Sequence, residues 1–367
     1  MRTQIVVSIL LLFSINSFSQ WEKISDLNTG TTGQVMTYNS FVYWYGSQQG
    51  FKLYRFDANG ENFTDLSANT PPDLLSHIYG FDNKLYACSL SDFYVSTDDG
   101  ESWNLKSSLN VTGNGAILRI VQDGDILYGV SNRKSIFKST DKGDTWQEII
   151  INDPNNIALN GFAAEGNNYF AVIIGSGAWI STDAGTTWTV NNPNQSSAIN
   201  ALYDFNGTIM GMTFNGIFIY NFSSGSWEPS NSGLPDDGAL YNVKSISQFG
   251  NTLFAAGSKI INNQSSVYIS SDDGTSWNEM NPDSIAQANY AGSISFIAAS
   301  SSFAYYFYYG LLDPGNTGLY KAPYSPASAV KKMTTNPQIF LYIRIIPTRS
   351  ILPHKLVMLS RSGVSFP

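Results

Sequence analysis

Four copies of one eight-residue pattern, Ser-x-Asp-x-Gly-x-x-Trp, constrain this chain more than any other feature. They are Ser96, Asp98, Gly100 and Trp103; Ser139, Asp141, Gly143 and Trp146; Ser181, Asp183, Gly185 and Trp188; and Ser270, Asp272, Gly274 and Trp277. The residue types are those of a tight turn. An Asp oxygen accepts hydrogen bonds from turn N–H groups, Gly supplies a positive φ, and the aromatic folds back into apolar packing. Each copy is therefore expected to join two antiparallel strands. Two weaker copies fill the gaps: Phe56-Asp57-Ala58-Asn59-Gly60-Glu61-Asn62-Phe63, with Phe in place of Trp, and the shortened Ser223-Ser224-Gly225-Ser226-Trp227.

The aromatics that end these units, Phe63, Trp103, Trp146, Trp188, Trp227 and Trp277, follow one another at intervals of 40, 43, 42, 39 and 50 residues. Each unit carries four strand-like segments, and its first strand recurs seven times: Gln34-Val35-Met36, Ser76-His77-Ile78, Leu118-Arg119-Ile120, Asn160-Gly161-Phe162, Asn200-Ala201-Leu202, Lys244-Ser245-Ile246 and Ile294-Ser295-Phe296. Four strands per repeat at a period near 42 is the signature of β-propeller blades, so the expectation is an all-β fold with a single seven-bladed β-propeller. Six or eight blades are the alternatives. Trp21-Glu22-Lys23-Ile24 reads like the segment that follows each turn, and Trp21 precedes Phe63 by 42 residues. It is expected to supply the outer strand of the last blade, so that the N-terminal strand closes the ring and no sheet edge is left at the joint.

Residues 1–19 have the form of a signal peptide: Arg2, an apolar run from Ile5 to Phe13, and the small-x-small triplet Ser17-Phe18-Ser19. They imply a protein that is secreted or held at the cell surface. No run reaches the roughly 20 apolar residues of a membrane helix, so the chain is not expected to span a membrane. Cys88 is the only cysteine, which rules out an internal disulfide and reads as a small buried hydrophobe. Setting aside Arg2 and the six Lys/Arg after Pro323 leaves 13 of the 20 basic residues against all 28 acidic ones, a body charge of −15. Such a body repels phosphate backbones, and nucleic acid is excluded as a partner.

The four boxes resemble Asp-box, or BNR, repeats, known from sialidases, the sortilin luminal domain, xyloglucan-degrading enzymes and photosystem II assembly factors. The resemblance runs from Trp21 to Tyr320 and implies a propeller, with the box residues in structural roles. It does not imply one activity, because the repeat serves unrelated functions. A sialidase would clamp its substrate with three arginines. The body offers only Arg55, Arg119 and Arg133, with Arg55 in the context Leu53-Tyr54-Arg55-Phe56 and Arg133 beside Lys134. A hydrolase acting on a neutral polysaccharide needs two carboxylates across a cleft. Asp82, Asp123, Glu165 and Asp204 take comparable places after successive first strands, a repetition that favours turn chemistry. His77 and His354 are too far apart in sequence to suggest a metal centre, Asp57-Ala58-Asn59-Gly60 lacks the closing Glu of a calcium loop, and no cofactor or metal is expected.

Two aromatic runs stand out, Phe41-Val42-Tyr43-Trp44-Tyr45 in blade one and Phe303-Ala304-Tyr305-Tyr306-Phe307-Tyr308-Tyr309 in blade seven. Tyr43, Trp44, Tyr45, Tyr305, Tyr306 and Tyr308 are the candidate ligand-binding residues, against the alternative that they only pack blade on blade. Trp179 and Phe214 are lesser candidates. The functional expectation is a non-catalytic extracytoplasmic binding or assembly module that presents propeller loops as a monomer to a protein or glycan; the alternative is a glycoside hydrolase. The expected domains are residues 20–323 for the propeller and 324–367 for a basic tail. After Asp313 no acidic residue appears. Bacterial secreted propellers of this kind often end in a type IX secretion sorting domain introduced by Tyr-Pro-Asn-Pro. That motif is absent, but codons permitted for residues 342–347 read Tyr-Pro-Asn-x-Pro when displaced by two nucleotides, which suggests a frame-displaced sorting signal.

Overall fold

In the computed structural model, the described residues are 21–25, 32–47, 51–71, 75–111, 115–152, 159–173, 175–193, 198–235, 241–259, 265–280, 292–310 and 317–324. The signal segment and the basic tail lie outside them. The described strands form seven four-stranded antiparallel sheets, each a blade. The inner strands, in chain order, are Thr32–Tyr38, Leu75–Phe81, Ile117–Asp123, Leu159–Glu165, Ala201–Phe205, Tyr241–Phe249 and Gly292–Ala299. They define blades one to seven, and the expected number of blades and the expected first strands are those observed.

Ring closure follows the expectation as well. The first strand, Glu22–Ser25, pairs antiparallel with Gly318–Pro323 as the outer strand of blade seven, with Glu22 opposite Lys321 and Lys23 opposite Tyr320. Trp21 packs edge-on against Tyr306 with ring centroids 4.4 Å apart. The largely buried Lys321 reaches from this sheet into blade one, where its ammonium donates to the Asn59 carbonyl at 2.8 Å. Glu22 and Glu61 stand 3.8 and 3.9 Å from the same Nζ. The seam between the two ends of the chain is thus held by an apolar plug and a shared cation.

Why the repeat dictates blades is visible in the turns. In blade two the buried Ser96 hydroxyl accepts the Gly100 N–H at 2.9 Å and donates to Asp98 Oδ1 at 2.8 Å. Asp98 also accepts the Ser102 N–H at 2.9 Å and the Ser102 hydroxyl at 2.6 Å. The same network recurs around Ser139 and Asp141, Ser181 and Asp183, and Ser270 and Asp272. The hydroxyl of Thr145 and that of Thr187 are the chief reasons why the Asp141 and Asp183 carboxyls are each held at about 2. Gly143 has φ +88°, and a Cβ there would stand 2.3 Å from Phe93 of the preceding blade, so both the conformation and the close approach require glycine. In the weaker copies other hubs take over: Asp57 accepts the Asn59 and Glu61 N–H groups, and Asn221 those of Ser223 and Ser224.

The box also fastens neighbouring blades. Trp146 Nε1 donates to Ser107 Oγ, Trp227 Nε1 to the Asn191 carbonyl and Trp277 Nε1 to the Ser230 carbonyl, each at 2.9 Å and each to the blade before. Trp188 instead donates to Gly185 O within its own turn. The buried apolar residues fall into seven clusters, one at each junction between adjacent blades, with no common core at the axis among the described residues.

Candidate functional site

A propeller leaves two faces on which side chains can converge near the axis: the end where inner strands begin and the end where they turn into second strands. The beginning carries a repeated irregularity. Register shifts fall between Leu75 and His77, Ile117 and Arg119, Leu159 and Gly161, Val243 and Ser245, and Ile294 and Phe296. Each is a bulge with one residue unpaired: Ser76, Leu118, Asn160, Lys244 and Ser295. A bulge bends its strand and re-aims the side chains beside it, which is why such features gather next to binding sites. No pairing between first and second strands shifts at the opposite end.

Polar side chains at this mouth link blade to blade. Tyr45 donates its hydroxyl to Gln34 Oε1, and the Tyr45 oxygen lies 3.2 Å from His77 Nδ1. With the hydroxyl proton directed at Gln34, Nδ1 is the protonated nitrogen and His77 Nε2 is left with a lone pair. Burial, with a smaller contribution from the Arg119 charge, holds the His77 imidazole down at about 3, so the ring is neutral at physiological pH. Burial also raises the Tyr45 phenol, an effect offset in part by the Ile78 backbone and by Arg119. Arg119 donates to the Asn160 carbonyl at 2.9 Å, and Asn160 Nδ2 donates to the Asn200 carbonyl at 2.6 Å. Gln34, His77, Arg119, Asn160 and Asn200 thus come from five consecutive blades, and Lys244, exposed, follows from the sixth.

The opposite mouth is acidic. Asp204 lies one residue before the end of its inner strand and accepts the Gly207 N–H at 2.9 Å. Burial raises its carboxyl to about 6, the Gly207 hydrogen bond opposes the rise, and the charges of Glu165 and Asp123 add to it. Asp123 Oδ2 accepts the Gly166 N–H at 3.0 Å. The four carboxylates expected in comparable places are not equivalent. Asp123 and Glu165 end their inner strands, Asp204 precedes that position by one and faces the other side of its sheet, and Asp82 lies in the turn, where it pairs with Lys142 at 2.8 Å. Strand alternation, which a one-residue offset reverses, separates them.

The six aromatic candidates are all buried: Tyr43, Trp44, Tyr305 and Tyr306 have no exposed surface, and Tyr45 and Tyr308 retain 3% each. Trp44 stacks on Tyr54 at 5.5 Å and meets Phe307 of blade seven at 5.6 Å, while Tyr305 donates to the Ala58 carbonyl at 2.5 Å. Their rings fill blade junctions, and Tyr45 is the one whose hydroxyl joins the polar mouth. Phe214, at the turn after the second strand of blade five, is 65% exposed; Trp179 is partly buried, with its indole N–H on Ser176 Oγ. Arg55 is taken up by Glu101 at 2.7 Å and the Asp99 carbonyl at 3.0 Å. Arg119 and Lys244 were not among the residues picked out for ligand binding. The signal was nevertheless in the first strands, which carry Gln34, His77, Arg119, Asn160, Asn200 and Lys244 within the first two positions of the aligned triplets.

A family model described as the DUF6242 beta propeller domain matches residues 17–157. No curated protein matches the chain. Among solved structures, YCF48 bound to D1 peptide is 15% identical with a TM-score of 0.57, covering 87% of this chain and 97% of that one. A GH74 xyloglucanase from Xanthomonas campestris is 13% identical with a TM-score of 0.57, over 83% of this chain and 53% of that one. The extracellular domain of the one-component system BT4673 from B. thetaiotaomicron is 14% identical with a TM-score of 0.56, over 84% and 40%. The chain is a seven-bladed propeller whose fold is similar to that of several propeller proteins. At these identities the likeness is one of fold. No group of three His, Cys, Asp or Glu among the described residues is placed to hold a metal ion, and none of the described helices is long and apolar enough to cross a membrane.

Proposed function

We propose that this protein is an exported binding module that uses the strand-start face of its propeller to hold a protein or glycan. The observation that carries this reading is the polar mouth itself, in which Gln34, Tyr45, His77, Arg119 and Asn160 are oriented by hydrogen bonds, the last on the Asn200 carbonyl, before any ligand arrives. Side chains held in place lose little further freedom on binding, so such a surface recognises more tightly than a loose one. The YCF48 structure with a D1 peptide supports peptide binding as a use of this fold. Export follows from residues 1–19, and the working domain is residues 20–323.

A second reading is a glycoside hydrolase acting on a neutral polysaccharide. Asp204 favours it: a carboxyl raised to about 6, with Glu165 and Asp123 nearby, is the kind of group that serves as a general acid. Incubation of the purified protein with neutral polysaccharides, including xyloglucan, separates the two. Retention without cleavage supports the binding module. Release of reducing ends that Asp204→Asn abolishes supports the hydrolase and removes the non-catalytic reading.

A further inference from the structure

The charges at the two mouths are unbalanced. Arg119 and Lys244 have no carboxylate partner among the described residues, while Asp123, Glu165 and Asp204 gather at the far ends of the inner strands of blades three to five. Arg119 and Asp123 share a strand but are four residues apart, about 13 Å at the usual rise. That exceeds the roughly 8 Å over which charges act through physiological saline. Described carboxylates nearer the strand-start face are engaged elsewhere: Asp92 accepts the Ser108 hydroxyl, Glu148 that of Ser135, and Glu279 pairs with Lys259 at 2.9 Å.

The neutral groups at this mouth complete the pattern. His77 Nε2 offers a lone pair, and Arg119 has guanidinium donors left beyond the one on the Asn160 carbonyl. Phe296, partly buried, holds in blade seven the post-bulge position that Arg119 holds in blade three, and it adds an apolar edge. A ligand that satisfies all of these carries a carboxylate for Arg119, hydroxyl donors for His77, and a ring face for the aromatic edge. We propose that the strand-start mouth binds a uronate, an acidic sugar whose carboxylate pairs with Arg119 while its hydroxyls engage His77 and the neighbouring amides. This rests on the binding-module reading and assigns the ligand class to it.

The test is calorimetric titration with galacturonate and glucuronate oligosaccharides, with neutral galactose and glucose oligosaccharides as counterparts. Binding of the uronates but not the neutral sugars is expected, with at least a tenfold loss in Arg119→Gln, a smaller loss in Arg119→Lys, which keeps charge without the planar fork, and a tenfold gain in sensitivity to salt over any neutral ligand. Thermal melts of both variants exclude misfolding as the cause. Absence of uronate binding, or binding unchanged in Arg119→Gln, overturns the inference. If a neutral glycan binds instead and Arg119→Gln leaves it intact, the binding module survives and the uronate assignment fails. Competition by a peptide with a free C-terminal carboxylate, without any uronate binding, likewise overturns the sugar while keeping the mouth as the site.

Discussion

Replacing Trp21 by alanine tests the closure on which the whole ring depends. Trp21 is 6% exposed and lies in the cluster between blades six and seven, edge-on to Tyr306. Truncating a buried Trp to Ala costs about 3–5 kcal/mol in cavity and lost contact. For a domain of about 300 residues the unfolding entropy is about 0.6 kcal/mol per kelvin, so the melting temperature falls by about 5–8 °C. The loss acts at the one blade whose outer strand is not contiguous with the rest. Besides lower stability in urea, faster amide exchange is therefore expected in Gly318–Pro323, the strand that pairs with Glu22–Ser25. A destabilisation below about 1 kcal/mol with unchanged protection of that strand refutes closure by the N-terminal segment, because a buried aromatic at the joint cannot be removed so cheaply.

Two further outcomes follow from individual side chains. Ser181→Ala leaves the Gly185 N–H without its buried acceptor and takes from Asp183 the Ser181 donor while those of Thr187 remain, and urea unfolding is expected to show a loss of about 1–3 kcal/mol; a change under about 0.5 kcal/mol means that the serine is not the hub of the turn. Asp204 has a carboxyl raised from 3.8 to about 6, so between those values the folded state binds more protons than the unfolded chain. Stability is therefore lost as pH rises through that window, and Asp204→Asn flattens this part of the pH profile; an unchanged slope in the variant removes the assignment.

The sequence was most legible where chemistry repeats. Ser-x-Asp-x-Gly specifies a turn through bonds that close within five residues, so each box announces itself without reference to the rest of the fold. Trp21 was readable for the same reason, as a displaced copy of a repeating outer strand. The aromatic runs were ambiguous, because a Tyr-rich strand looks the same whether its rings face a ligand or a neighbouring blade. Trp44 meeting Phe307 joins residues 263 positions apart, and nothing local encodes that meeting.

By itself the sequence determined the blade, its turn, the number of units and the strand that shuts the ring, because local hydrogen bonding and a steady period suffice for these. The tertiary structure alone decided which side chains share a mouth. Bulges place Asn160 and Lys244 off the ladder in blades four and six, and in blades three and two they re-aim Arg119 and His77, which follow the unpaired Leu118 and Ser76. Circular closure then carries residues some forty positions apart to the rim of one opening, while strand alternation sends Asp204 and Asp123 to opposite sides of their sheets. Proximity across a ring depends on the angle between blades and on register, and neither is written in any single repeat.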